Sequence, residues 1–243
     1  MDLLKDERID DLGNGLKIIQ NKKGFCFGID SVLLANFARD IKKEAVVLDL
    51  GTGTGIIPIL LCGKTDLKKV VGVEIQKEVY LMAKRSIELN DLGSRFEIVN
   101  ENILNLNNLY DRNYFDVIVT NPPYKKKGEG VINENEKKLI SRHEITANLD
   151  DFLKITSYLL KDKGEFYMVH RPERLIDIFC IMRKYKIEPK LVRMVYSSVD
   201  KPPKLVLIKG IKNGKSFLQF EKNLYIYDKG GNYTDEIKAI YEN

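Results

Sequence analysis

Apolar residues recur along this 243-residue chain in two rhythms. Short, nearly continuous apolar runs alternate with longer stretches whose apolar positions return every three or four residues, the marks of buried strands and amphipathic helices. The runs are "AVVLDL" (Ala45–Leu50), "VVGVEI" (Val70–Ile75), "FEIVN" (Phe96–Asn100), "FDVIVTN" (Phe115–Asn121), "EFYMVH" (Glu165–His170), "KLVRMVYS" (Lys190–Ser197) and "KLVLIKGI" (Lys204–Ile211). Between them, "IIPILLCGK", "EVYLMAKRSIELNDLG", "LDDFLKITSYLLKDKG" and "RPERLIDIFCIMRKY" read as helices. The third of these extends from Leu149 to its glycine at 164, and the fourth carries Pro172 in its first turn. Seven strands buried on both faces and separated by helices predict an α/β fold with a Rossmann-like, doubly wound sheet. The last two runs are joined by "SVDKPP", which is too short for a crossover helix, so they are expected to pair antiparallel.

This pattern divides the chain into three parts: a substrate-side cap over residues 1–44, a core over 45–215, and a tail over 216–243 packed on that core. The cap contains "GFCFGIDSVLLANFA" (Gly24–Ala38). There an aromatic-glycine turn leads to Asp30 or Ser31 as the expected cap of an apolar helix. The composition, 44% hydrophobic and 31% charged, suits one globular unit. The longest apolar stretch, "IIPILLC", falls short of the roughly 20 residues of a membrane helix. The acidic start "MDLLKDERIDDLG" lacks the basic opening of a signal peptide, so a cytoplasmic protein is expected. Cys26, Cys62 and Cys180 are scattered and odd in number, which argues for buried thiols rather than disulfides or a zinc site. With two histidines in addition, no metal is expected. The net charge is +5, but residues 161–215 hold 14 Lys and Arg against 6 Asp and Glu. That local excess suits either a bound polyanion or a solvated lysine-rich surface.

The candidate chemistry begins at "DLGTGTG" (Asp49–Gly55), which closes the first run and opens a helix. Gly51, Gly53 and Gly55 permit a sharp turn and close approach to a ligand. A dinucleotide fingerprint would need glycine where Ile56 stands, and a triphosphate loop would need Gly-Lys-Ser/Thr. The loop therefore suits an adenosine ligand without a phosphate chain. Glu74, at the end of the second strand, can accept both ribose hydroxyls. Asn102 or Glu101, after the third, can reach the adenine edge. Thr52, Ile75 and Ile103, their immediate neighbours, complete the expected cofactor-facing set. The chain resembles here, from Ala45 to about Ile211, the class I S-adenosylmethionine-dependent methyltransferases. Asp49, Gly51, Gly53 and Gly55 match their Asp-x-Gly-x-Gly-x-Gly motif and Glu74 their acidic strand end. Their frequent Asp after the third strand is Asn102 here. The resemblance implies S-adenosyl-L-methionine as cofactor and a last strand that runs antiparallel.

"TNPPYKKKG" (Thr120–Gly128) follows the fourth run. Asn121-Pro122-Pro123-Tyr124 resembles the amino-methyltransferase signature, and the residue types suit that chemistry. An exocyclic amine is a poor nucleophile because its lone pair is delocalised. Asn121 and the Pro122 carbonyl can accept its hydrogens and draw the nitrogen toward tetrahedral geometry. The prolines stiffen the backbone that presets these acceptors. The ring face of Tyr124, more than its hydroxyl, can stack on a planar target. DNA and RNA adenine N6, guanine N2 and protein glutamine are all targets compatible with this segment. No insert of the size used for DNA target recognition is present, and no helical domain precedes the sheet.

Taken with "GFCFGIDSVLLANFA", "SRHE" (Ser141–Glu144), "HRPERL" (His170–Leu175) and the tail "LYIYDKGGNYTDEIKAIY", the segment resembles the tRNA1(Val) N6-adenine methyltransferase family over nearly the whole chain. That resemblance implies an RNA-binding, tRNA-processing transferase that methylates an adenine beside the anticodon. Lys125, Lys126 and Lys127 are then candidates to hold phosphates. Arg142, His143 and Arg171 are candidates to meet RNA near the site, as are His170 and Arg174. An N5-glutamine protein methyltransferase and a non-catalytic RNA-binding module with the same fold are the competing readings.

Overall fold

The computed structural model describes residues 3–24, 26–124 and 147–242. The main sheet starts at its centre with β3 (Val46–Leu50) and moves outward through β4 (Lys69–Val73) to β5 (Phe96–Val99). It then returns to the other side of β3 with β6 (Phe115–Thr120) and β7 (Leu160–His170), and these five strands pair in parallel. β9 (Pro203–Lys212) lies antiparallel to both β7 and β8 (Ile187–Tyr196). The seven expected strands and the antiparallel last pair are therefore present. The order reverses between β3 and β6, so a crevice opens at their carboxyl ends, where open α/β sheets bind ligands.

Successive residues of these strands feed opposite faces. Val47, Val70, Val117, Val119 and Tyr167 join one core with α1 (Ile29–Phe37), α2 (Ile56–Lys64) and Ile87 of α3 (Lys77–Leu89). Leu48, Val71, Ile118, Phe166 and Met168 join the other with α4 (Leu149–Leu159) and α5 (Leu175–Lys184). Asn148 starts α4 with a capping box shared with Asp151.

Several local expectations are corrected. The third helix stops at Leu159 rather than Gly164. Leu160 is fully buried and pairs with Phe115, while Glu165 pairs with Val117, so the intervening residues bulge out of the strand. Burial of Leu160 and pairing of Lys161 with Asp116 at 2.7 Å override the helical pattern there. The cap includes a hairpin, β1 (Glu7–Gly13) with β2 (Leu16–Asn21), whose short strands carry too few apolar alternations to stand out in the sequence. In the tail, β10 (Gln219–Phe220) and β11 (Leu224–Tyr225) extend the sheet alongside β8, and α6 (Asp235–Glu242) follows. Of the cysteines only Cys62 is buried; Cys180 is exposed, because α5 turns it away from the core.

Candidate active site

Beyond β3 the chain passes through Gly51, Gly53 and Gly55 at φ +74°, +59° and +87°, all left-handed. Gly51 and Thr52 both donate backbone N–H groups to the Val73 carbonyl, at 3.0 and 2.9 Å, which hangs the loop on the end of β4. One residue further along β4's exit, the Glu74 carboxylate accepts from Gly53 N at 3.0 Å and Gln76 N at 2.8 Å. Burial raises its pKa, and these backbone donors oppose the rise. A Cβ on Gly55 would stand 3.0 Å from the Phe96 ring, whereas a Cβ on Gly53 would meet nothing within 4 Å. Gly55 is thus glycine for packing, and Gly53 faces open space.

Asp49 is fully buried, and neither of its carboxylate oxygens has a hydrogen-bond partner among the described residues; nor does Thr52 Oγ1. Burial pushes the Asp49 carboxyl up to about 7, and the charge of Glu74 adds to the rise. The Thr52 hydroxyl, close but outside hydrogen-bonding geometry, works against it. A partnerless buried carboxylate beside an open glycine turn is complementary to a ligand that carries N–H donors or positive charge. The free lone pairs of Glu74 suit hydroxyls. This donor and acceptor set fits the aminoacyl and ribose groups of S-adenosylmethionine.

The adenine side is more constrained. Asn102 spends its carbonyl on Leu104 N at 3.0 Å, capping a 3-10 turn over Ile103–Asn108. Ile103 is buried in the core, so only its backbone can face a ligand. Glu101 accepts from Asn102 N and Asn105 Nδ2. Ile75 is 42% exposed just past β4, an apolar surface available to a flat ring.

Pairing of Thr120 with Leu50, reinforced by a 2.8 Å bond from Thr120 Oγ1 to the Leu50 carbonyl, sets Asn121 beside the glycine loop. Pro122 is buried and Pro123 exposed. Asn121 Nδ2 lies 3.2 Å from Ser31 Oγ, and its Oδ1 lies 2.8 Å from the Tyr124 hydroxyl. The same hydroxyl lies 2.7 Å from Asp30 Oδ2. Asp30 and Ser31 therefore do not cap α1. Gly28 holds the cap position with no side-chain bond, and the two polar residues of the first turn reach Asn121 and Tyr124 instead. The sequence marked these two residues as candidate caps; the signal for a further role was a polar pair leading a mostly apolar helix.

The Tyr124 ring is flanked by His170, with centroids 5.1 Å apart, and by the Arg171 guanidinium at 5.1 Å. His170 is buried and accepts from Arg171 N at 2.7 Å. Burial, aided by the charges of Arg174 and Arg171, pushes its pKa down to about 4, so it is a neutral ring packed against Tyr124 rather than an exposed charge. Arg174 pairs with Asp177 at 2.8 Å. Lys125, Lys126, Lys127, Arg142 and His143 lie outside the described residues. Much of the basic excess of residues 161–215 is used internally. Lys161, Arg183, Lys184, Arg193 and Lys209 pair with carboxylates, and Lys212 is buried against Asn113 and two backbone carbonyls. Among the described residues no group of three His, Cys, Asp or Glu side chains could hold a metal ion, and no helix is long and apolar enough to cross a membrane.

The family model described as the methyltransferase small domain matches residues 28–179, from the turn before Asp30 to α5. The chain belongs to the methyltransferase small domain family. The chain, a methyltransferase of this family, is similar to a tRNA1(Val) (adenine(37)-N6)-methyltransferase of Histophilus somni, 28% identical over 230 residues, or 92% of this chain and 91% of that one. It is also similar to the enzyme of the same name from Pedobacter heparinus, 27% identical and covering 87% of each chain. Among solved structures, a predicted O-methyltransferase of Agrobacterium tumefaciens superposes with a TM-score of 0.71 at 18% identity, over 87% of this chain and 95% of that one. The tRNA m1G37 methyltransferase of M. jannaschii gives 0.60 at 14% identity, over 86% and 58%. The sheet of this protein is thus that of the class I methyltransferases.

Proposed function

We propose that this methyltransferase transfers a methyl group from S-adenosylmethionine to the exocyclic N6 of an adenine in tRNA, in the anticodon loop, within the cytoplasm. The observation that carries the reading is the juxtaposition, across the paired ends of β3 and β6, of a ligand-ready glycine loop and Asn121-Pro122-Pro123-Tyr124. The tRNA and the N6 position rest on relatives named for that activity over nine-tenths of their length.

S-adenosylmethionine supplies an electrophilic methyl group on a sulfonium. In this chain, Asp49 and Glu74 bind and orient its cationic and hydroxyl groups, and Gly53 leaves it room. Asn121 accepts a hydrogen from the target amine and the Pro122 carbonyl a second, which frees the nitrogen lone pair. Tyr124 supports the base. Positioning supplies much of the rate, and no strong base is required. Residues 1–44 complete the target pocket through Asp30 and Ser31, 45–215 hold the cofactor, and 216–243 brace the sheet edge. Lys125, Lys126, Lys127, Arg142, His143 and Arg171 serve the RNA.

The test is methyl transfer from labelled cofactor to total tRNA and, in parallel, to a translation release factor, followed by nucleoside analysis. N6-methyladenosine in tRNA supports the reading. Label on glutamine, on guanine N2 or nowhere overturns it.

A further inference from the structure

Asp30 has a partner that the methyl-transfer reading leaves unexplained. Its Oδ2 lies 2.7 Å from the Tyr124 hydroxyl, across a sequence separation of 94 residues. Its other oxygen accepts from Ser31 N at 3.0 Å. Glycine at position 28 makes room for this arrangement, since a Cβ there would stand 2.7 Å from Asp30 Oδ1. We propose that Asp30 is a positioning residue, which fixes the Tyr124 hydroxyl and thereby sets which face of the Asn121 amide meets the target amine.

The argument is one of proton counting. A phenol has a single proton to give, yet the Tyr124 oxygen lies within bonding distance of two acceptors, Asp30 Oδ2 and Asn121 Oδ1. A carboxylate is the stronger acceptor, because charge-assisted bonds are about twice as strong as neutral ones. The proton therefore goes to Asp30, and the Tyr124 oxygen is left as an acceptor facing Asn121. The two ends of an amide are interchangeable by a half-turn. The network is satisfied when Nδ2 points at Tyr124 and Oδ1 at Ser31 Oγ, which donates to it. The second lone pair of Oδ1 then remains for the target amine. Without Asp30 the phenol donates to Asn121, and the amide settles the other way round. Its NH2 group then takes the place of the acceptor, and a donor facing an amine cannot free the lone pair.

This inference rests on the proposed amine methylation, so its test has a readout with substrate and one without. Asp30→Ala, Tyr124→Phe and the double variant are compared with the wild type in single-turnover methylation of tRNA at saturating cofactor. Cofactor affinity is measured by calorimetry. Each single change is expected to slow transfer by roughly ten- to a hundred-fold, the worth of one hydrogen bond to a charged group. The double variant is expected to be no slower than the slower single one, because both changes break the same link. Cofactor affinity and the apparent tRNA constant should stay within about twofold, and Asp30→Asn, whose carbonyl can still accept the phenol proton, should recover part of the rate. Additive rate losses, or a loss confined to cofactor or tRNA affinity, overturn the proposal. If the wild type methylates no tRNA, the functional reading fails independently. Thermal unfolding of the same proteins then decides the link: non-additive shifts support it, and additive shifts overturn it.

Discussion

Asp49 pairs with Gly72 in the β3–β4 ladder and Glu74 stands just past the end of β4, two buried carboxylates on neighbouring strands of which, among the described residues, only Glu74 has hydrogen-bond partners. Its charge adds to burial in raising the Asp49 carboxyl to about 7. The cofactor-free fold therefore binds a proton at Asp49 more tightly than the unfolded chain does, where the value is about 3.9. Stability from this group is intact below pH 4, declines as pH rises through the interval to 7, and is lost above it. Asp49→Asn, which cannot ionise, should gain in melting temperature relative to wild type as pH increases from 5 to 8. Its cofactor affinity should fall, by about tenfold or more for one lost charged contact. A melting difference independent of pH would refute the strained-carboxylate account.

Gly53 and Gly55 should fail in different ways. Gly53→Ala places a side chain in open space at φ +59°. It should cost about 1–2 kcal/mol of stability for the left-handed backbone but abolish most cofactor binding. Gly55→Ala should destabilise further, because its Cβ meets the Phe96 ring at 3.0 Å. Calorimetric cofactor titrations beside thermal melts separate the two. Equal effects of both changes on both measurements would remove the assignment of Gly53 to the ligand.

Asn121→Ala should leave the fold and cofactor affinity nearly intact while lowering turnover by about 10²–10³, the usual loss for one preset group that acts on a developing charge. The loss should appear in the single-turnover rate more than in the tRNA constant, because the bond strengthens toward the transition state. Wild-type rates in this variant would make the segment a structural turn.

Lys125, Lys126 and Lys127 changed together to Ala should weaken tRNA binding and flatten its salt dependence. Each lost phosphate contact lowers the log–log slope by up to about 0.9, less on single strands. Cofactor affinity should not change. An unaltered slope would leave these lysines as solvated surface.

The sequence by itself determined the sheet. Seven apolar runs, each long enough to cross it, and one connection too short for a helix fixed the class, the seven central strands and the antiparallel last pair, since burial on both faces imposes a local pattern; the two-residue edge strands β10 and β11 and the β1–β2 hairpin carry too little of that pattern to show. The glycine loop was equally local: three left-handed turns in five residues demand glycine wherever the chain folds. Tertiary structure decided what depends on contact between distant segments. Leu160 left its helix because Phe115 was there to pair with it. Within the basic stretch after Lys161, several charges are taken up by carboxylates, some from the same stretch and some, such as Asp116 and Asp150, from distant segments. Asp30 and Ser31, which locally read as helix caps, bond instead to Tyr124 and Asn121 because β6 delivers those residues to the start of α1. A side chain's preference for a cap is worth about 1 kcal/mol, and a charge-assisted bond formed across 94 residues outweighs it.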